Sequence, residues 1–413
     1  MSQVDPTRPI IKQTRGVWDL NETYSETQEG YYKYGGPQQG VSWGINYAGE
    51  LGQNTAGHPT LISSPTQIMS GGDGYGENSW DSMQMLGTSA YGVKRDGSLW
   101  CWGENAHGQL GQNNRTSYSS PVQVPGGNWW PIKDNIRWQS QPGTYVCMAM
   151  RSYYGATHSS QRGKKLYMWG QNSDGKLGQN NETKYSSPVQ IPGKWMMASG
   201  GQSGPFGAIN KLGELWMWSD NSHGALGQNN RTQYSSPRQV PGTWKELSCG
   251  RIGAGCLKAD GTIWRWGYNA YGTLGRNHIN SRSSPVQLGS LTNWKKMCSG
   301  GGIIAAQINE DNELWVHGWG GAGQLMQNNN ISYSSPVQVP GSWDDFYVGS
   351  STNAYGIKTD GSLWAVGKNP YGAVDGGTNT PLLGTAYSSP IQIPGVWRHM
   401  GPAENSRLGI KYG

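Results

Sequence analysis

Two histidines hold matching places in near-copies of one phrase, His107 in ENAHGQLG and His223 in DNSHGALG. Imidazole is the group best suited to metal ligation and to proton transfer near neutral pH, and either task needs a second group within bonding reach. The repeat set out below puts the two rings on equivalent loops of separate units, which holds them apart. Both therefore read as loop residues on a polar surface. His317 stands where sibling phrases have Trp and reads as a packed variant rather than a catalyst. No HExxH, P-loop, GxSxG or dinucleotide-binding phrase occurs. Five cysteines form neither an even set nor a CxxC pair, so neither a disulfide framework nor a zinc site is expected. Cys101, inside LWCWG, reads as a small buried hydrophobe. The expectation is a non-enzyme with no catalytic residue, no metal and no cofactor.

The elements that would position these side chains follow from a repeat. Ser-Ser-Pro begins at 63, 119, 186, 235, 283, 334 and 388, giving intervals of 56, 67, 49, 48, 51 and 54 residues. Periods of this size mark propellers, solenoids or arrays. A Gly-x-Leu-Gly-like phrase precedes each copy, from GELG at 49–52 to GAVD at 372–375. Before that comes a short aromatic run such as LWCWG or IWRWG, and after it a Trp opens another apolar stretch. These runs are too short for helices and are stopped by Gly, which reads as strand. Asp96-Gly97, Asp260-Gly261 and Asp360-Gly361 sit between two such runs, a pairing that favours a two-residue type I′ hairpin. YSSPVQVPG reads as the outermost strand of a four-stranded sheet, with Pro and brevity blunting the edge.

Seven small sheets in tandem suit a closed ring, which leaves only short protected edges. The repeat starts partway through a unit at GVSWG (40–44) and stops partway through another at LGIKYG (408–413), so the two ends complete one blade. The expected fold is all-β: a seven-bladed β-propeller of four-stranded blades over 41–413, closed by pairing the N- and C-terminal strands, with an arm over 1–40.

Most of the 21 Trp are claimed by this frame, ten on third strands and seven opening first strands. The unclaimed four are Trp18, Trp130, Trp138 and Trp319. Trp130 and Trp138 lie in WWPIKDNIRWQSQPG, within the longest interval, which reads as an inserted binding loop. Trp319 falls on the loop written GxNxxG elsewhere. The variable residue before that loop's last Gly runs Ala48, His107, Asp174, His223, Tyr271, Ala322, Tyr371, a crown on one face of the ring. The candidate binding residues are therefore Trp130, Trp138, Trp319, His107, Asp174, His223, Tyr271 and Tyr371. A net charge of +6 is spread out, and the Arg162–Lys165 cluster is too short to argue for nucleic acid. No apolar run approaches the ~20 residues that span a bilayer, and the N-terminal residues lack the apolar core of a secretory signal.

DGSLWCWGENAHGQLGQNN (96–114) resembles the repeat of the regulator-of-chromosome-condensation family. The likeness implies a seven-bladed propeller whose repeats are offset from its blades. It leaves function open, because sites are grafted onto folds; relatives include a nucleotide-exchange factor, ubiquitin-ligase modules and an enzyme inhibitor. The His recurring in the exchange factor's second strand is absent here, where Ser89 and Asn353 stand at the nearest places, so no exchange-factor residues are carried over. Residues 14–36, TRGVWDLNETYSETQEGYYKYGG, are similar to short segments in virion proteins of tailed bacteriophages. That likeness implies an anchoring arm whose contacts would be Trp18, Tyr24, Tyr31, Tyr32 and Tyr34. The arm's likeness points to a virion structural or host-contact protein, assembled in the host cytoplasm. Its arm would bind other virion proteins, and its propeller would display a surface for a host glycan or protein. The alternative is a soluble regulatory or inhibitory propeller gripping one protein partner.

Overall fold

Gly, Pro and Asp-Gly cut the chain into short β-rich runs, and these fold as an all-β propeller. The computed structural model describes residues 38–412 apart from 56–59, 69–79, 131–135, 139–144, 153–162, 201–203, 301–302, 349–351, 370–373, 375–385 and 403–405. Trp18, Tyr24, Tyr31, Tyr32, Tyr34 and Tyr371 lie outside the described residues.

The repeating unit is plain at 80–123. Trp80–Leu86, Ser89–Lys94, Leu99–Gly103 and Tyr118–Gln123 pair antiparallel in sequence order. Glu246–Cys249 to Arg282–Gln287 and Trp294–Gly300 to Tyr333–Val339 repeat the pattern. Two larger sheets are each joined through one long strand, Tyr185–Gly200 or Ala386–Pro402. The first half of Tyr185–Gly200 pairs with Lys164–Gly170 as a fourth strand does, and its second half pairs with Pro205–Asn210 as a first strand does. Ala386–Pro402 likewise pairs with Ser362–Lys368 and then with Ser406–Tyr412.

The ends meet as the split repeat requires. Ser406–Tyr412 pairs on its other side with Gln38–Asn46, from Gln38↔Tyr412 to Gly44↔Ser406, and Gln38–Asn46 in turn pairs with Thr60–Gln67. The first strand begins at Gln38, ahead of the boundary expected at 41. The core lies between units rather than inside any one of them. One cluster joins Val93, Leu99 and Cys101 to Met148, Leu166 and Trp169 of the following unit.

Two local expectations are corrected. The Asp-Gly turns are not two-residue type I′ hairpins. Gly97 N–H donates to Lys94 O and Lys94 N–H donates to Ser98 O, so three residues span the turn. Gly97 has φ +78°, whereas Asp96 is not among the positive-φ residues. A type I turn followed by one left-handed Gly meets those conditions, and Lys258–Thr262 closes the same way. The stretch around Trp130 is likewise not simply an inserted loop. Trp129 bridges Arg151 as an isolated antiparallel pair, and Trp130 N–H donates to Met150 O. Ile136–Trp138 runs parallel to Ala198–Gly200 at the first strand of the next unit.

Candidate functional site

The loop between third and fourth strands carries the Gly-x-Leu-Gly phrase, and six of its seven copies are fixed by one buried Asn, Gly320 standing at that place in the other. Asn105 Oδ1 accepts from Leu110 N–H while its Nδ2 donates to the carbonyls of Asn114 and Thr116. Asn172, Asn221 and Asn269 do the same in their own loops.

The loop then docks on the next unit, which explains why two phrases recur together. A Cβ on Gly175 would stand 2.4 Å from Ser235 Cα, and its φ is +65°, so only Gly fits. The first Ser of the next Ser-Ser-Pro also meets Gly49, Gly108, Gly224, Gly272 and Gly323. Beside each contact an Asn in the left-handed region donates its N–H to that Ser's carbonyl, as Asn180 does to Ser235 O at 2.8 Å. Ser-Ser-Pro falls at a ladder irregularity, between the Gly103↔Tyr118 and Cys101↔Val122 pairs, which frees it to face the neighbouring unit.

The third link is the second Trp of the third strand. Its indole N–H donates into the preceding loop: Trp102 to Glu50 O, Trp169 to Gln109 O, Trp218 to Lys176 O and Trp266 to Ala225 O, all at 2.7–2.8 Å. His317 occupies the fifth such place, fully buried, with Nε2 3.0 Å from Thr273 O. Burial and the nearby Arg265 hold its pKa well below the usual value. A neutral ring with its proton on Nε2 copies the indole bond, which is the packed variant expected of it.

This assignment has a pH signature. Below about pH 6.5 an unfolded histidine takes up a proton that folded His317 refuses, so the unfolded state binds more protons and stability falls as pH falls. Urea midpoints of wild type and His317→Gln, measured from pH 8 to 5, should converge below pH 6.5, by up to about 1.4 kcal/mol per pH unit. Parallel curves would show that the ring is protonated in the fold.

The frame leaves the variable residues on one face. In an antiparallel meander the loops between third and fourth strands share one end of every unit, and the Asp-Gly turns lie at the other. His107 is half-buried, 4.5 Å from the Tyr145 ring by centroids and 3.5 Å from Lys184 Nζ of the next unit. Burial, then Lys184, lowers its pKa. His223 meets Tyr268 of the next unit edge-on at 5.1 Å, and Tyr268 meets Tyr271 at 6.2 Å. Asp174 stands at φ +61° with Lys176 Nζ 3.8 Å away. The histidines are thus each engaged locally across a seam, not with one another.

Trp130 and Trp319 are folded back. Trp130 is half-buried against the core with Lys164 Nζ 3.9 Å above its ring. Trp319 lies over its own loop, within 2.6 Å of where a Cβ on Gly321 would be. Trp138 is placed by its backbone pairing with Gly200. Cys101 is fully buried, its thiol pushed up to about 12 by burial.

Tyr271, a candidate from the sequence, is joined on this face by residues the sequence did not mark. Tyr47, Tyr271, Ile279 and Ile331 are 41–61% exposed, and all four lie on third-to-fourth-strand loops. They are four of the seven large hydrophobic side chains exposed among the described residues. Arg276 and Arg282 flank Ile279 and are exposed, and no carboxylate occurs from 267 to 282. Tyr268 was missed because only the position before the loop Gly was read as variable, and Tyr145 because it lies ahead of its unit's second strand, Val146–Arg151, rather than on such a loop. The position two after the third strand's second Trp, or its substitute, varies too: Glu104, Gln171, Asp220, Tyr268, Trp319, Lys368.

The model of the regulator of chromosome condensation (RCC1) repeat matches residues 96–133, 165–204 and 260–307. Among solved structures, human WBSCR16 is similar at 16% identity and a TM-score of 0.72, covering 91% of this chain and 99% of that one. Prp20p from Saccharomyces cerevisiae is similar at 15% identity and a TM-score of 0.73, covering 91% and 92%. Yeast RCC1 (Prp20) bound to Kap60 is similar at 14% identity and a TM-score of 0.73, covering 100% and 96%. At these identities the likeness is one of fold.

Proposed function

We propose that this chain, a propeller carrying RCC1 repeats, is a protein-binding platform that grips its partner through the third-to-fourth-strand loops. Dividing each long strand at its midpoint, we count seven blades: six of four strands, one of these completed by both chain ends, and one of three strands (Val146–Arg151, Lys164–Gly170 and the first half of Tyr185–Gly200) beside the Trp129–Arg151 bridge. Such a ring is a rigid mount, and the observation that carries the reading is what the mount displays. Tyr47, Tyr271, Ile279 and Ile331 are exposed on that face, with His107, His223, Asp174, Tyr145 and Tyr268 beside them. Interfaces are enriched in such aromatic anchors with Arg at their margins, which Arg276 and Arg282 supply.

Prp20p is described with its binding to Gsp1p and histones, and yeast RCC1 (Prp20) with Kap60 bound. Those partners belong to those proteins; they support reading this fold as one that takes protein partners. Binding rather than catalysis is the reading for the whole chain. The virion reading rests on the resemblance of residues 14–36 alone, and the fold gives it no added support.

The test is quantitative affinity capture from the source cells with wild type, the loop-face variant Tyr271→Ser/Ile279→Ser/Ile331→Ser, and the opposite-end variant Leu212→Ser/Val396→Ser. The expected result is a partner whose recovery falls at least tenfold with the loop-face variant and stays unchanged with the other. Equal recovery with all three would overturn the proposal.

A further inference from the structure

A cleft lined by none of Tyr47, Tyr271, Ile279 and Ile331 opens at the seam between Pro205–Val240 and Glu246–Gln287. It has a volume of about 540 Å³ and is walled by Trp264, Trp244 and Pro285, with the amides of Gln228, Asn229 and Gln239 at its margin and Lys258 in its wall. We infer that this cleft is a binding site for a carboxylate-bearing saccharide of about two rings.

The local sequence builds the cleft. Lys-x-Asp-Gly-(Ser/Thr)-x-Trp occurs at 94–100, 258–264 and 358–364. In the second copy Asp260 accepts from Thr262 N–H at 3.0 Å and from its hydroxyl at 2.6 Å, and Thr262 Oγ1 accepts from the Trp264 indole N–H at 3.0 Å. The chain of bonds fixes the plane of the indole. Lys258 Nζ then lies 4.1 Å from the Trp264 ring centroid and 5.0 Å from that of Trp244. The other two copies hold Lys94 and Lys358 over Trp100 and Trp364 at 4.1 and 4.3 Å, so the device itself belongs to the frame. At the second copy it also borders an open cleft.

Three features select the ligand. Pro285 and the part of Trp264 that Lys258 leaves uncovered are apolar surface against which the C–H face of a sugar ring packs, while its hydroxyls stay at the rim. The rim groups are neutral amides, each both donor and acceptor, which match hydroxyls better than they match a purely apolar guest. Gln228 is already oriented, its Nε2 donating to Gln239 O at 3.0 Å. Lys258 is the only charged residue lining the cleft, and among the described residues it makes no ion pair. A cation facing a cleft without carboxylates favours an anionic group on the guest. The volume falls in the range of small-ligand sites, roughly 300–1,000 Å³.

The experiment is titration of the full chain with a glucuronic-acid-containing disaccharide, its neutral glucose counterpart, and sodium sulfate, read by tryptophan fluorescence. The variants are Lys258→Met, which keeps the stem on Trp264, and Gln239→Ala, whose parent side chain is exposed. The acidic disaccharide should saturate at millimolar or lower concentration and bind at least tenfold more tightly than the neutral one. Lys258→Met should abolish that preference, and Gln239→Ala should weaken both sugars several-fold. No saturable signal, a response equalled by sulfate alone, or affinities unchanged in both variants would each overturn the inference. If Lys258→Met does not fold, Gln239→Ala decides alone. None of the loop-face variants touches this cleft, so its failure and that of the protein-binding proposal are separable.

Discussion

Replacing Gly175 by Val is expected to cost about 3 kcal/mol or more and to lower the urea midpoint sharply. Two penalties act together. The left-handed φ of +65° strains a β-branched residue by roughly 1–3 kcal/mol. The new Cβ would also stand 2.4 Å from Ser235 Cα, and backbone cannot swing aside as a side-chain tip can. Making room parts the seam, stretching the Asn180 N–H to Ser235 O bond and the Trp218 indole bond to Lys176 O. Gly127→Val is the matched control, because nothing lies within 4 Å of a Cβ there and its φ is not positive. That variant should unfold within about 0.5 kcal/mol of wild type. Equal midpoints for the two variants would show that the seam is looser than the close approach implies.

The second large effect is expected at Trp218, fully buried where one unit's third strand meets the loop of the unit before it. Trp218→Ala should cost about 3–5 kcal/mol from lost burial and the void left behind. Trp218→Phe separates the components: most of the packing survives, and the change strands the buried carbonyl of Lys176. Its cost should be about 1–3 kcal/mol. If Trp218→Phe proves as damaging as Trp218→Ala, the indole bond outweighs the packing. If it is silent, the carbonyl finds another donor.

The sequence showed the frame because the frame is made of contacts that few residues can make. Gly175 must lack a Cβ, Ser235 must offer its carbonyl at an irregular strand, and Trp218 must reach across. Each requirement is met again at the next seam, so the phrases recur and can be counted. The split of one unit between Gln38–Asn46 and Ser406–Tyr412 was legible for the same reason. What was not legible depends on backbone detail or on what a side chain does once its neighbours are in place. Asp-Gly alone does not distinguish a two-residue from a three-residue turn; the Lys94 to Ser98 pairing does. Trp130 and Trp319 looked unclaimed because no repeat position demands them, yet Lys164 and the backbone of Gly321 occupy their rings. Ile279 and Ile331 were overlooked because an isolated isoleucine in a polar loop has no periodic signature. Only the fold brings them to one face with Tyr271.

The most direct measurement places a photo-crosslinking amino acid at Tyr271 or Ile331 on the loop face, and at Leu212 or Val396 on the opposite end, in the source cells. The account predicts one discrete protein adduct from both loop-face positions and none from the other two. Adducts of equal yield from both ends, or none from the loop face, would contradict it.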